Sequence, residues 1–164
     1  MAMDMADLAA RVRIAVRKLR YVFDHRVLPR LSTTTPGQGI PRTFTAFEGF
    51  GIALAATMLE SGLTRKIVTA CFAKASEQST DSKRTTNAPV YQLYDADSGR
   101  IEIGDGKYVR FRAEKRLGVA KGVDTEWVPL FGNVATPEPF RPTVLVTIET
   151  EPLALLLRAE QRKL

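Results

Sequence analysis

The sequence contains few of the residues on which covalent and metal-dependent catalysis depend. It has one cysteine and one histidine among 164 residues. A lone cysteine closes no internal disulfide and cannot supply the two or more thiolates that a soft-metal site requires. His25 has no serine, cysteine or acidic residue at a catalytic spacing, and no glycine-rich phosphate loop ends in lysine and serine or threonine. We therefore expect no enzyme, no metal and no cofactor.

Long apolar runs and a leader pattern are also missing. The longest apolar stretches, 50–59 and 153–157, are far shorter than the ~20 residues of a membrane span. Residues 1–13 lack the basic-then-apolar order of a signal peptide. We expect a cytoplasmic protein that has no membrane partner. With 45% hydrophobic and 26% charged residues, the composition is that of a globular protein.

The chain does have an uneven distribution of charge. Residues 1–75 carry eleven Lys/Arg against five Asp/Glu, a net charge of +6, whereas residues 76–164 carry thirteen of each sign, which cancel. A basic segment beside a neutral one indicates two parts with different roles, the first of which meets a polyanion. This segregation favours nucleic acid as the partner.

The periodicity of apolar residues changes along the chain. Residues 1–75 show helical spacing, 76–87 form a polar linker rich in serine and threonine, and 88–164 hold short strand-like runs. The predicted strands are 90–94, 100–103, 107–112, 126–131 and 144–148, with a hairpin turn at 104–106. Thr150 and Pro152 then predict the start of a short closing helix. We predict an α+β protein with a mostly helical N-terminal domain and a small antiparallel β-rich part ending in that helix.

Within the helical part, an apolar stripe and a basic stripe follow the same steps. The apolar residues are Val12, Val16, Leu19 and Phe23, and Arg13, Arg17, Arg20 and Asp24 come one residue later. We predict one helix that has an apolar face and a basic face, and that ends near 27–29 at a proline. A short helix over 4–10 precedes it and crosses it. Residues 32–44 then suit a β-hairpin wing. Thr45 and Glu48 form a predicted capping box, and Thr64 is the predicted start of a fourth helix. This order predicts a winged helix-turn-helix.

Three motifs in register resemble the DNA-binding domain of MerR-type transcription regulators. They are the run Leu19-Arg20-Tyr21 followed by Val27-Leu28-Pro29, the run Arg42-Thr43-Phe44-Thr45 with Glu48, and the run Gly62-Leu63-Thr64 with Val68. They cover about 65 residues, less than half of the chain. The chain departs from the family pattern at Arg26, where a glycine turn is common, in a longer wing, and in the absence of a long heptad-patterned dimer helix.

The resemblance implies a sequence-specific transcription regulator that binds double-stranded DNA. An arginine on a helix in the major groove can donate two hydrogen bonds to guanine, while neighbouring basic and hydroxyl groups hold phosphates. The predicted DNA-binding residues are Arg13, Arg17, Lys18, Arg20, Tyr21 and Arg42. Arg13 and Arg17 are the candidates for base reading. The resemblance places Arg20 and Tyr21 towards the sugar–phosphate backbone of the DNA, and Arg42 at a flanking phosphate.

Several of the same residues also have plainer interpretations. Tyr21 suits packing against the next helix equally well, and His25 suits a helix end or a phosphate contact. Cys71 has the spacing of a small core residue. Trp127 suits either the core, which we favour, or the wall of a ligand pocket.

The closing helix has an apolar stripe that consists of Leu153, Leu156 and Leu157. We expect a second subunit to cover it, because a two-fold dimer reads a palindromic site more selectively than one domain does. Sensing of a small-molecule effector is the competing use of the C-terminal part. The alternatives for the whole chain are an excisionase-like or architectural DNA-binding protein, and a winged-helix interaction or assembly protein that does not bind DNA.

Overall fold

The computed structural model describes residues 2–28, 42–77, 89–114, 125–133 and 135–158. Within these residues the helices are α1 (Met5–Val12), α2 (Val16–Asp24), α3 (Ala46–Glu60), α4 (Arg65–Ala75), α5 (Pro89–Asp95) and α6 (Glu151–Arg158). The strands are β1 (Ser98–Gly104), β2 (Tyr108–Glu114), β3 (Val128–Pro129) and β4 (Leu145–Glu149). All strand pairs are antiparallel. The predicted α+β class is confirmed, with helices at both ends of the described chain and the strands between them.

The first two helices are separated by a tight turn. Asp4 accepts a hydrogen bond from the backbone N–H of Asp7 at 2.8 Å and begins α1. Arg13 ends that helix in the left-handed region, at φ 55° and ψ 39°. The prediction of one helix that carries Arg13, Arg17 and Arg20 is therefore wrong for Arg13. The turn allows α1 and α2 to fold against each other, so that Leu8 and Leu19 enter the same core.

The helices α3 and α4 each begin at a threonine whose side chain caps the helix. Thr45 accepts from the Glu48 backbone N–H at 3.1 Å, and the Glu48 carboxylate accepts from the Thr45 N–H at 2.8 Å. The predicted capping box is confirmed. Gly62 follows α3 at φ 95°, a conformation that favours glycine, and the Thr64 side chain caps α4.

The sheet has the order β3-β2-β1-β4. The predicted turn at 104–106 joins β1 and β2, and Asp105 and Gly106 both adopt positive φ, at 55° and 65°. Residues 90–94, which we predicted as a strand, lie in α5. The consecutive residues Leu93 and Tyr94 are both buried, whereas a strand would send them to opposite faces. The predicted strand at 126–131 shortens to β3.

The buried core includes side chains from both predicted parts of the chain. Helix α6 packs against α3 and α1, and α5 also contacts α3. The closing helix begins as predicted, with the Thr150 carbonyl accepting from the Ala154 N–H at 3.1 Å. Most of the predicted wing, and the linker from residue 78 onward, lie outside the described residues. Among the helices that are described, none combines the length and apolar character needed to cross a membrane.

Candidate nucleic-acid interface

Helix α2 has a buried side and a basic side. Leu19 and Val22 are fully buried, and the helix packs against α1 and α3. Arg17 and Arg20 are exposed on the other side. Neither arginine forms an ion pair within the part of the chain that the structure describes. The core thus fixes the orientation of α2 and leaves these two guanidinium groups available to an external partner.

The N-terminal turn of α2 lacks the usual stabilising chemistry. Ala15 supplies no side-chain cap, and the first turn has no acidic residue. Instead, Arg17 and Lys18 stand there, although positive charge at a helix N-terminus opposes the helix dipole. Local rules of this kind are most often violated at functional sites. An anion bound at this turn would relieve both deficits.

Lys18 differs from the two arginines because its ammonium group forms an ion pair with the Glu60 carboxylate at the end of α3. The two side chains are 44% and 42% exposed. The pair crosses a cleft of about 600 Å³ between α2, α3 and the start of α4. Ala56, Leu59 and Leu63 give the cleft its apolar lining.

Tyr21 and His25 form the continuation of this surface. Their rings lie 4.1 Å apart, and Tyr21 is 39% exposed, so the predicted packing of Tyr21 against a following helix is at most partial. Arg65, at the start of α4, approaches His25 Nδ1 at 2.9 Å through Nη1 and lies 5.9 Å from the centre of the Tyr21 ring. His25 therefore lies at the C-terminal end of α2 beside an arginine, in agreement with the helix-end interpretation.

Arg42 borders the opposite side of α2. Its guanidinium group lies 4.3 Å from the centre of the Phe23 ring and 5.4 Å from that of Phe44. Backbone hydrogen bonds between Met3 and Phe44, at 2.9 and 2.7 Å, attach this segment to the start of the chain. A second cleft of about 360 Å³ contains Arg20, Arg42 and two acidic residues, Asp4 and Asp24.

The structure thus brings five of the six predicted DNA-binding residues to α2 and its border. Arg13 is exposed at the turn that precedes α2. Sequence reasoning missed Glu60 and Arg65. Arg65 had a detectable signal, since two basic residues directly after a threonine cap oppose the dipole of the helix that follows. Glu60 had none, because its partner lies 42 positions away in the sequence.

Other candidate groups are explained by the fold. Burial raises the pKa of the Cys71 thiol to about 12, so the predicted core role is confirmed and the thiol stays protonated at neutral pH. Trp127 is half-buried beside the sheet, where it contacts Arg110 and Phe140. It stands outside the buried core, so the favoured core interpretation is wrong. No cluster of three or more potential metal ligands occurs among the described residues.

The predicted dimer stripe on α6 is divided by the fold. Leu153 and Leu157 are 9% and 1% exposed and belong to the chain's own core. For these two leucines the expectation of a covering partner is wrong, because α3 and α1 pack against α6. Leu156 remains 44% exposed, next to Leu155 at 50%.

A comparison of the chain with protein families, curated proteins and solved structures finds no match.

Proposed function

We propose that the chain is a sequence-specific double-stranded DNA-binding protein of the transcription-regulator class. In this proposal α1 and α2 form the helix-turn-helix, and α2 is the recognition helix. The observation that carries the proposal is the pair Arg17 and Arg20, exposed and without an ion-pair partner in the described chain, on a helix whose other side is fixed in the core.

The dimensions and chemistry of α2 suit the major groove. The groove is about 12 Å wide and admits one helix, whose first residues meet base edges. Arg17 stands in the first turn of α2 and is our candidate for bidentate contact with guanine. The turn that ends α1 places Arg13 beside the same end of the helix. This geometry supports the division of roles in which the N-terminal turn reads bases.

Residues on both borders of α2 suit contacts with phosphates. Arg42 is stacked on Phe23 and Phe44, which restricts the side chain before any ligand arrives. On the side of the larger cleft, Arg65 flanks α2 and Tyr21 stands on α2 itself. Phosphate contacts from two sides of a recognition helix fix its register on the duplex.

The order of these elements supports the resemblance to MerR-type regulators in two further details. Arg26, where the family commonly turns at a glycine, adopts a φ of 49°. The segment Arg42 to Thr45 leads directly into the capping box of α3, as the resemblance implies. These details, together with the exposed cations of α2, support a DNA-binding winged helix over an interaction protein of the same shape.

The proposal is tested by the salt dependence of binding to a fluorescent duplex of random sequence. With about five phosphate contacts, the log–log slope of affinity against salt should be near −4.5, at roughly −0.9 per phosphate. Arg17→Gln and Arg20→Gln should each weaken binding. Arg141→Gln is the matched control, since it removes the same charge from an exposed arginine on the loop before β4.

Two results would contradict the proposal. The first is an affinity that does not change with salt. The second is equal loss of binding in all three variants, which would indicate attraction by net charge without a defined surface.

A further inference from the structure

Lys18 is the one predicted DNA contact on α2 that has an ion-pair partner within the described chain. Glu60 supplies that partner from the end of α3, across the cleft that contains Arg17, Tyr21 and Arg65. A carboxylate in this position stands among cations that the proposed function assigns to phosphate and base contacts. Its charge has the same sign as a DNA phosphate.

We propose that Glu60 is an internal substitute for a DNA phosphate, which engages Lys18 in the free protein and thereby limits the affinity for DNA. This inference rests on the proposed function and adds a residue that regulates it. When DNA binds, Lys18 must leave Glu60 to reach a phosphate. The loss of this ion pair makes the affinity lower than the number of basic residues predicts.

The exposure of the pair suits this role. Both side chains are close to half exposed, and ion pairs in such surroundings contribute little to folding stability. Glu60 is also not needed to end α3, because the Ser61 N–H bonds to the Thr57 carbonyl at 3.0 Å and Gly62 supplies the turn. The carboxylate can therefore be removed with little structural consequence, which makes its effect on binding measurable.

The effect should be independent of DNA sequence. Lys18 would meet a phosphate, and phosphate contacts carry no base information. Removal of the carboxylate should therefore raise the affinity for preferred and random duplexes by the same factor, and the ratio of the two affinities should not change. A residue that positions Lys18 for DNA would behave in the opposite way, since its loss would lower the affinity.

The experiment measures anisotropy of a labelled random duplex over a series of salt concentrations. It uses the full chain as wild type, Glu60→Gln, Lys18→Gln and the double variant, with Glu77→Gln as the matched control. Glu77 is exposed just beyond the C-terminal end of α4 and forms an ion pair at 3.4 Å with Lys74, which is half-buried. Its replacement by glutamine changes the net charge by the same amount. Circular dichroism and thermal unfolding establish that each variant is folded.

We expect Glu60→Gln to bind severalfold more tightly at low salt, with an unchanged slope, because Lys18 contacts the same phosphate in both proteins. Glu77→Gln should resemble the wild type, and the gain should disappear in the Lys18→Gln background. If Glu60→Gln does not exceed Glu77→Gln, or if the gain persists without Lys18, the inference is wrong while the proposed function stands. If neither the wild type nor Glu60→Gln binds DNA, both proposals are wrong.

As a second measurement, the resonance of the Glu60 side-chain carboxyl carbon can be followed during titration with DNA. Loss of the Lys18 partner should shift it, and Lys18→Gln should reproduce the shift without DNA. A resonance that does not respond to saturating DNA would also overturn the inference.

Discussion

The arginines of α2 and those of the sheet differ in what lies beside them. Arg100 and Arg110 both bond through Nε to the carboxylate of Glu102, a residue only 3% exposed. Arg110 also covers the Trp127 ring, at 4.6 Å from its centre. Arg17, by contrast, is exposed and has no acidic partner in the described chain.

This comparison shows that the position of acidic residues decides what a cluster of arginines can do. On the sheet, one buried carboxylate bonds to two guanidinium groups and cancels half of their combined charge, which weakens the positive field that a polyanion would meet. On α2, the Glu60 carboxylate pairs with Lys18, whereas Arg17 and Arg20 have no ion-pair partner in the described chain. The net charges of residues 1–75 and 76–164, which are +6 and zero, reflect this difference in the number of acidic residues beside the basic ones.

The largest effect is expected from Arg110→Ala. It removes one of the two cations bonded to a buried carboxylate, and we expect the free energy of unfolding to fall by about 3 kcal/mol. The DNA affinity of the folded variant should equal that of the wild type. Urea unfolding and duplex titration measure the two quantities. If Arg110→Ala had normal stability and weakened DNA binding, the sheet arginine would belong to the DNA-binding surface and the proposed contrast with α2 would be wrong.

The helices and turns that the sequence predicted correctly depend on local chemistry. The Thr45 and Glu48 capping box, the turn at Asp105 and Gly106, and the Thr64 cap each involve residues within a few positions. A short apolar run carries less information. Residues 90–94 are predicted as a strand because a run of five residues is too short to distinguish the two-residue period of a strand from the 3.6-residue period of a helix. Packing against α3 stabilises them as a helix.

The site was predicted in part for the same reason. Arg17, Arg20 and Tyr21 follow from spacing on one helix. Arg13 was placed on that helix because the steps from Val12 to Val16 continue through the turn without interruption. The division of the α6 leucines, with Leu157 inside and Leu156 outside, depends on where α3 packs, which no local pattern states.

A smaller effect, confined to binding, is expected from Arg17→Ala. Because the side chain is exposed and lacks an acidic partner in the described residues, stability should stay within about 0.5 kcal/mol of the wild type. Affinity for a preferred duplex, selected from a random pool, should fall by about 1–3 kcal/mol, and discrimination at one base pair should relax. Equal losses on preferred and random duplexes would instead make Arg17 a phosphate contact.

The smallest effect is expected from the border of α2. Arg42→Ala should weaken preferred and random duplexes alike, by about 1 kcal/mol, and should make the salt slope shallower by about 0.9. Phe23→Leu keeps the charge but removes the nearer of the two rings on which Arg42 stacks, so it should lower affinity less and leave the slope unchanged. This pair of variants separates charge from preorganisation. A changed slope in Phe23→Leu would mean that the ring holds the α2 surface itself, because only a lost or gained phosphate contact alters counterion release.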